Sequence, residues 1–203
     1  MKYLKGAFYL LLLAFTFLAG ALLFAPWKEA GLYTFEHIRL EAARRGYFIT
    51  CERMESSGLF RPSYVLSGLE IEGPAARASM AQVKLDIFPA SSLVSGRARC
   101  RAVFSDALVK YVPGGELKMT SGEFDISAGI EAVAVRDSLV EGDIGMRGDI
   151  VFDIREGAVS ESTAVIKVPP LINAVLSSPA LSRFVEPSGQ GEWRIREIEF
   201  QSR

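Results

Sequence analysis

Hydrophobic and polar residues follow three different patterns along the chain. Residues 6–27 carry no charged side chain, and residues 33–45 repeat apolar side chains at helical spacing. From Tyr47 onward, apolar and polar residues alternate with a period of two in short segments bounded by Gly, Pro, Ser and Asp. These patterns predict a membrane-spanning helix, a short amphipathic helix and a series of β-strands. The predicted domains are an anchor at 1–27, a juxtamembrane helix at 28–46 and a β-rich domain at 47–203.

The uncharged run is long enough to cross a bilayer once. Its 22 residues extend about 33 Å as a helix, against a hydrocarbon core of about 30 Å. Lys2 and Lys5 precede the run, which predicts a cytoplasmic N-terminus and places the bulk of the chain in the periplasm of a bacterium. A cleaved signal peptide is the alternative, because residues 19–21 (AGA) have the small-x-small spacing of a cleavage site. The apolar run continues to Trp27, which favours an uncleaved anchor.

The alternating region predicts about ten to twelve strands in a mainly β fold. Close turn signals, such as residues 113–115 (PGG), indicate hairpins and therefore one antiparallel, curved sheet, which is a groove, a half-barrel or a jelly-roll-like arrangement. Two segments interrupt the alternation: residues 88–96 read as a turn and residues 169–176 as a short helix. The predicted strands cover residues 47–53, 64–72, 82–87, 99–104, 108–112, 116–120, 122–127, 132–136, 149–154, 164–168, 193–195 and 198–200.

Composition excludes several classes of function. Lys and Arg number 23 against 24 Asp and Glu, for a net charge of -1. The basic residues form no stripe that could bind a phosphate backbone, so the sequence predicts no nucleic-acid partner. The only histidine is His37, and no nucleotide, metal or nucleophile motif occurs. Gly142, Gly145 and Gly148 lie in an alternating segment, where they mark curvature or close backbone approach. The sequence therefore predicts no enzyme, no metal and no cofactor.

Two features remain open to more than one interpretation. Cys51 and Cys100 fall on two predicted strands, where they form either a disulfide or two unpaired, buried thiols. The apolar positions of the alternating strands are either a core between two packed sheets or the lining of an open trough for an acyl chain. These candidate lining residues are Val83, Leu85, Ile87, Phe104, Phe124, Ile126, Ile150, Phe152 and Ile154.

The order of these features resembles one protein family. The helix at 33–45 leads into GYFI at 46–49, and LSGLEI at 66–71 follows. VKLDI at 83–87 precedes SSLVSGR at 91–97, and LVEGDIGMRGDI at 139–150 reads as paired strands with glycines at fixed offsets. Together they resemble the type II secretion system protein N (GspN) group, which is similar in turn to AsmA-like proteins with a β-groove.

The resemblance implies a single-pass inner-membrane protein with a periplasmic β-rich domain and no catalytic residues. Its first implied role is a component of the secretion machinery that acts by protein contacts through its sheet edges. The implied partners are the inner membrane and other envelope or secretion proteins. The alternative is a domain that binds or transfers envelope lipid, similar to AsmA-like proteins or to the single-anchor component of lipopolysaccharide export.

Overall fold

A computed structural model describes residues 16, 26–58, 61–111, 114–177 and 184–196. In these residues, twelve strands form one open antiparallel sheet, accompanied by three helices. The helices are α1 (Trp27–Arg44), α2 (Pro89–Ser95) and α3 (Pro170–Leu176). The strands are β1 (Phe48–Thr50), β2 (Arg53–Ser57), β3 (Ser63–Glu72), β4 (Ala76–Ile87), β5 (Ala98–Tyr111), β6 (Gly115–Ala128), β7 (Ala132–Gly142), β8 (Gly145–Asp153), β9 (Ala158–Ser162), β10 (Val165–Lys167), β11 (Val185–Gly189) and β12 (Glu192–Ile195).

The central part of the sheet is a meander in which β3 to β8 pair in sequence order. Short turns join most of these strands, and short turns permit antiparallel neighbours only. The pairing continues from β8 through β10 and β12 to β11 at one edge. At the other edge, β1 and β2 both pair with β3. Strands β9 and β10 pair with different parts of β8. The predicted mainly β class with a single antiparallel sheet is confirmed.

A band of backbone irregularities crosses the long strands near their middle. Gly68 and Asp106 have positive φ angles of 61° and 50°, and both lie opposite Ala81 in the flanking registers. Register shifts interrupt the β6–β7 pairing near Thr120 and the β7–β8 pairing near Asp137. A residue with positive φ and a register shift both interrupt the regular alternation of side chains. In β3 to β7, the apolar residues therefore have even numbers on one side of the irregularity and odd numbers on the other. They nevertheless stay on one face of the sheet.

Few side chains are buried. Two groups of them lie under helices, and others lie along the middle of the sheet. Tyr64 and Leu66 are buried where α1 packs on β3, and Trp193 is buried where α3 packs on β12. A single sheet exposes both of its faces unless other elements cover them. Twelve hydrophobic side chains are buried among the described residues: Tyr64, Leu66, Leu69, Ala107, Leu117, Ala134, Val140, Ala158, Ala164, Val168, Val185 and Trp193.

The helical segments differ from the sequence prediction in detail. The predicted helix at 33–45 is longer in the structure, where α1 begins at Trp27. The segment 88–96, predicted as a turn, contains the short helix α2, which ends at Gly96 in the left-handed region. The short helix predicted at 169–176 is confirmed as α3. The predicted strand at 198–200 lies outside the described residues.

No helix within the described ranges is both long enough and apolar enough to cross a membrane. The predicted anchor at 6–27 lies outside those ranges, except for Thr16, Pro26 and Trp27. Its membrane-spanning role therefore stays a prediction from the sequence.

Candidate functional site

The sheet registers place most of the predicted lining residues on one face. Val83 lies opposite Phe104, and the row from Ile87 continues through Cys100 and Ile126. In an antiparallel sheet, residues directly opposite each other point to the same side. The half of this face nearer to α2 is what we call the trough. It is formed by Val83, Leu85, Ile87, Cys100, Phe104, Phe124, Ile126, Val133, Val135, Ile150 and Phe152.

The trough is open rather than packed under a second layer. Its side chains are half-buried, and Phe152 is 40% exposed. The sequence left open whether these residues pack between two sheets, but the described strands form a single sheet. Ile154 does not join the trough, because it lies in the β8–β9 turn and is 47% exposed. The face thus presents an apolar surface that another molecule can contact.

Close packing of aromatic rings shapes the middle of the trough. The rings of Phe104 and Phe124 stack with their centroids 6.1 Å apart. Phe104 also lies directly against the backbone of Gly122 on β6, where a Cβ atom would overlap its ring. Since glycine has no side chain, the ring lies flat against the neighbouring strand. This packing brings β5 and β6 into close side-chain contact at the centre of the trough.

Helix α1 covers one side of the trough. The Tyr64 hydroxyl donates a hydrogen bond of 2.6 Å to the Trp27 carbonyl, which ties the first residue of α1 to β3. Gly31 allows the helix to approach, because a Cβ atom there would overlap the Tyr64 ring. Between helix and sheet lies a cavity of about 230 Å³ with an almost wholly apolar lining, to which Phe35, Met54 and Leu85 contribute.

Helix α3 covers the same face at the other end of the sheet. It packs on Val168, Val185 and Trp193, with Ile166, Ile172 and Leu176 half-buried around them. The Trp193 indole donates a hydrogen bond of 2.7 Å to the Asn173 Oδ1 atom. The two helices thus leave the trough uncovered between them.

The opposite face is polar. One row across four strands alternates in charge, from Asp86 through Arg101 and Asp125 to Arg136. Arg101 also forms an ion pair with Glu123. Opposite charges on neighbouring strands stabilise the pairing, by about 0.2–1 kcal/mol each. A cleft of about 550 Å³ next to this row is lined by Ser91, Ser95, Arg97, Arg99, Cys100, Arg101, Asp125 and Arg136, among others.

The sequence missed several residues of the trough. Val133 and Val135 continue the rows of Phe152 and Ile150, and Cys100 lies between Ile87 and Ile126. Their alternation in the predicted strands at 99–104 and 132–136 was a usable signal. The alternation is hard to recognise there, because each of these segments alternates for only a few residues before the apolar positions shift by one.

The two cysteines are not brought together. Cys51 lies between β1 and β2 at one edge, Cys100 lies on β5, and both thiols are free. Strands β3 and β4 separate them, and three strand spacings amount to about 14 Å, well beyond disulfide reach. In the structure both thiols are unpaired and only partly buried.

The environment of Cys100 predicts that its thiol reacts slowly with alkylating reagents. Burial raises its pKa above the ordinary value, and the charge of Asp125 adds to the rise. A raised pKa lowers the thiolate fraction at neutral pH, and the thiolate is the reactive form. We expect the Cys51→Ser variant to react with iodoacetamide several-fold more slowly at pH 8 when folded than when unfolded in urea. The reaction rate is also measured as a function of pH. A midpoint for the folded chain at or below that of the unfolded chain would contradict this expectation.

The residue types that a metal site would use are the single histidine, the two cysteines and the carboxylates. His37 lies on α1 and stacks on Tyr33, with 6.5 Å between the ring centroids. Within the described ranges, no group of three or more His, Cys, Asp or Glu side chains is placed to hold a metal ion. The prediction that the chain is not an enzyme stays a prediction.

Comparison with known proteins gives one result. Residues 4–197 match the family described as type II secretion system protein GspN-like, Synergistales. The match spans the predicted anchor, the three helices and the twelve strands. No curated protein and no solved structure shows significant similarity to the chain.

Proposed function

Since the chain belongs to the GspN-like family of type II secretion system proteins, we propose that it is a non-enzymatic component of this machinery in the bacterial envelope. The family match over residues 4–197 is the observation that carries the proposal. In this role the protein contributes binding surfaces rather than chemistry. The absence of a recognisable nucleophile or nucleotide motif in the sequence agrees with that role.

The proposed location is the inner membrane, with a single anchor at residues 6–27 and the sheet in the periplasm. The uncharged run has the length of one bilayer crossing, and Lys2 and Lys5 favour a cytoplasmic N-terminus. Trp27, the last residue of that run, is fixed to β3 through Tyr64. Such an anchor would therefore hold the sheet close to the membrane.

The free edges of the sheet are the proposed surfaces for protein contacts. Among the described strands, β2 pairs with β3 only, and β9 pairs with β8 only. Their outer edges offer backbone groups to which a partner strand can add. Edge β11 is less suited, because Pro187 lacks the N–H group that such pairing uses.

Site-specific crosslinking tests these contacts in the full chain. A photoreactive benzoylphenylalanine replaces Glu55 on β2, Ser160 on β9 or, as a control, Glu156 in the β8–β9 turn. All three positions are exposed. In cells with a type II system, we expect Glu55 or Ser160 to crosslink to other subunits of the machinery, and Glu156 to give none. Adducts without any secretion subunit at both edge positions would contradict the proposal.

A second candidate function is lipid binding in the trough, as in AsmA-like proteins or the single-anchor component of lipopolysaccharide export. The observation that favours it is the uncovered apolar face, continued by the apolar cavity of about 230 Å³ under α1. An acyl chain lying there would remove apolar surface of both partners from water, which stabilises the complex by about 25 cal/mol per Å².

The Phe124→Asp variant tests the lipid proposal. A charge in the middle of the trough is expected to reduce lipid that copurifies with the full chain at least tenfold, since burying an unpaired carboxylate is costly. Ser127→Asp is the matched control, because it adds the same charge to the same strand on the polar face. Native mass spectrometry measures bound lipid, and circular dichroism checks the fold. Equal lipid in both folded variants, or none in the unmodified chain, would refute lipid binding in the trough.

A further inference from the structure

Three connections at one end of the sheet carry exposed apolar side chains. Val94 on α2 is 92% exposed, Ile130 in the β6–β7 turn is 90% exposed, and Ile154 in the β8–β9 turn is 47% exposed. We call this end, formed by α2 and the turns at 129–131 and 154–157, the α2 end. Isolated exposed apolar residues are common, but their placement on successive connections at one end forms a row of apolar tips.

The strand order fixes the dimensions of this row. Helix α2 joins β4 to β5, and the other two turns join β6 to β7 and β8 to β9. With strands about 4.8 Å apart, the tips span roughly 20 Å along the end of the sheet. The row is therefore long and narrow, which suits a flat surface better than a pocket.

Helix α1 begins at the same end of the sheet. The Trp27 carbonyl accepts the hydrogen bond of Tyr64, which is the second residue of β3 and pairs with Leu85 near the end of β4. From there α1 runs to the opposite end, where β1 pairs with the last residues of β3. The uncharged residues 6–26 precede Trp27 directly. A bilayer crossed by that run therefore lies next to the α2 end.

Charges at the α2 end fit a lipid surface. Arg97 and Arg99 lie at the start of β5, are exposed, and form no ion pair among the described residues. Arg155 is paired with Glu131 at 2.7 Å, so it is not counted here. Glu156 in the β8–β9 turn is exposed and contributes one negative charge. Two unpaired guanidinium groups beside the apolar tips match the phosphates of lipid headgroups above an apolar layer.

We propose that the α2 end of the sheet rests on the bilayer, with Val94, Ile130 and Ile154 inserted at the level of the headgroups and upper acyl chains. This inference rests on the proposed anchor at residues 6–27. It adds the orientation of the domain: the strands stand roughly upright on the membrane, and the β3–β4 turn at Pro74 and Ala75 points away from it. Pro74 and Ala75 at that far turn are exposed and small or cyclic. Tyr47 and Phe48, which are also exposed at the far end, lie where α1 joins β1.

Depth measurements in vesicles test this orientation. The full chain, in a Cys51→Ser and Cys100→Ser background, carries one NBD fluorophore at Val94→Cys, Ile130→Cys or, as the far-end control, Ala75→Cys. The vesicles contain phosphatidylethanolamine and phosphatidylglycerol, with or without a lipid bearing a nitroxide on carbon 5 of an acyl chain. We expect several-fold stronger quenching at positions 94 and 130 than at position 75.

Flotation of the same samples separates the two levels of the proposal. A chain that does not float with vesicles overturns the anchor and, with it, the orientation. A chain that floats, but with equally weak quenching at all three positions, overturns the orientation only. Shielding of positions 94 and 130 in native membranes, without quenching in protein-free vesicles, would also overturn it and would assign the α2 end to a protein partner.

Discussion

Replacing Gly148 with alanine is expected to lower the free energy of unfolding by about 4 kcal/mol, a large part of the stability of an ordinary domain. Gly148 has a φ angle of 115°, which side-chain-bearing residues rarely adopt. A Cβ atom would lie 2.6 Å from the Thr163 carbonyl oxygen and 2.9 Å from the Ala164 Cα atom. Both are backbone atoms, and Ala164 is fully buried, so neither can move aside cheaply.

Gly157→Ala is the matched control for this prediction. Gly157 also has a positive φ angle, 65°, but nothing lies within 4 Å of an added Cβ atom. Only the backbone penalty of about 1–2 kcal/mol applies there. Urea unfolding of the full chain in detergent, followed by circular dichroism, measures both variants. Equal losses for the two would show that the close backbone approach at Gly148 contributes nothing.

The second large effect is expected for Trp193→Ala, which should cost about 3–5 kcal/mol. Trp193 is 6% exposed and is the largest side chain in the core under α3. Its removal leaves a cavity and also leaves Asn173 Oδ1 without its donor. We expect α3 to lose its protection from amide hydrogen exchange before the rest of the sheet does.

Trp193→Phe separates packing from hydrogen bonding at this position. The smaller ring keeps much of the apolar contact but cannot donate to Asn173, so a loss of about 1–3 kcal/mol is expected. Hydrogen exchange of the α3 amides in both variants gives the comparison. If Trp193→Phe exposes α3 as fully as Trp193→Ala does, the hydrogen bond rather than the ring packing holds the helix.

The long strands show how far the alternation could be interpreted from the sequence. The segments 99–104 and 108–112 were predicted as two strands, whereas the structure has one strand, β5, with Asp106 at a positive φ angle between them. The segments 116–120 and 122–127 likewise form one strand, β6, with a register shift against β7 between them. A local backbone irregularity changes which alternate positions are apolar without ending the strand. The sequence pattern therefore suggests two strands where the backbone forms one.

The trough illustrates a similar limit. Alternation within each strand identified most residues of the trough, because neighbouring side chains of a strand point to opposite faces whatever the rest of the sheet does. Which strands are neighbours, and whether a second layer covers the face, depend on the pairing order of the whole sheet. The position of α1 over β3 also depends on non-local contacts, through Tyr64 and Gly31. Neither residue stands out in the sequence pattern.

Secretion itself tests the central claim most directly. The measurement is the amount of type II substrate protein that reaches the culture medium in a strain lacking this chain, compared with its parent and with the strain complemented by the full chain. The account predicts that the deletion retains most of the substrate in the periplasm and that complementation restores its release. Unchanged release without the chain, in a strain whose export depends on the type II system, would contradict a role in this machinery.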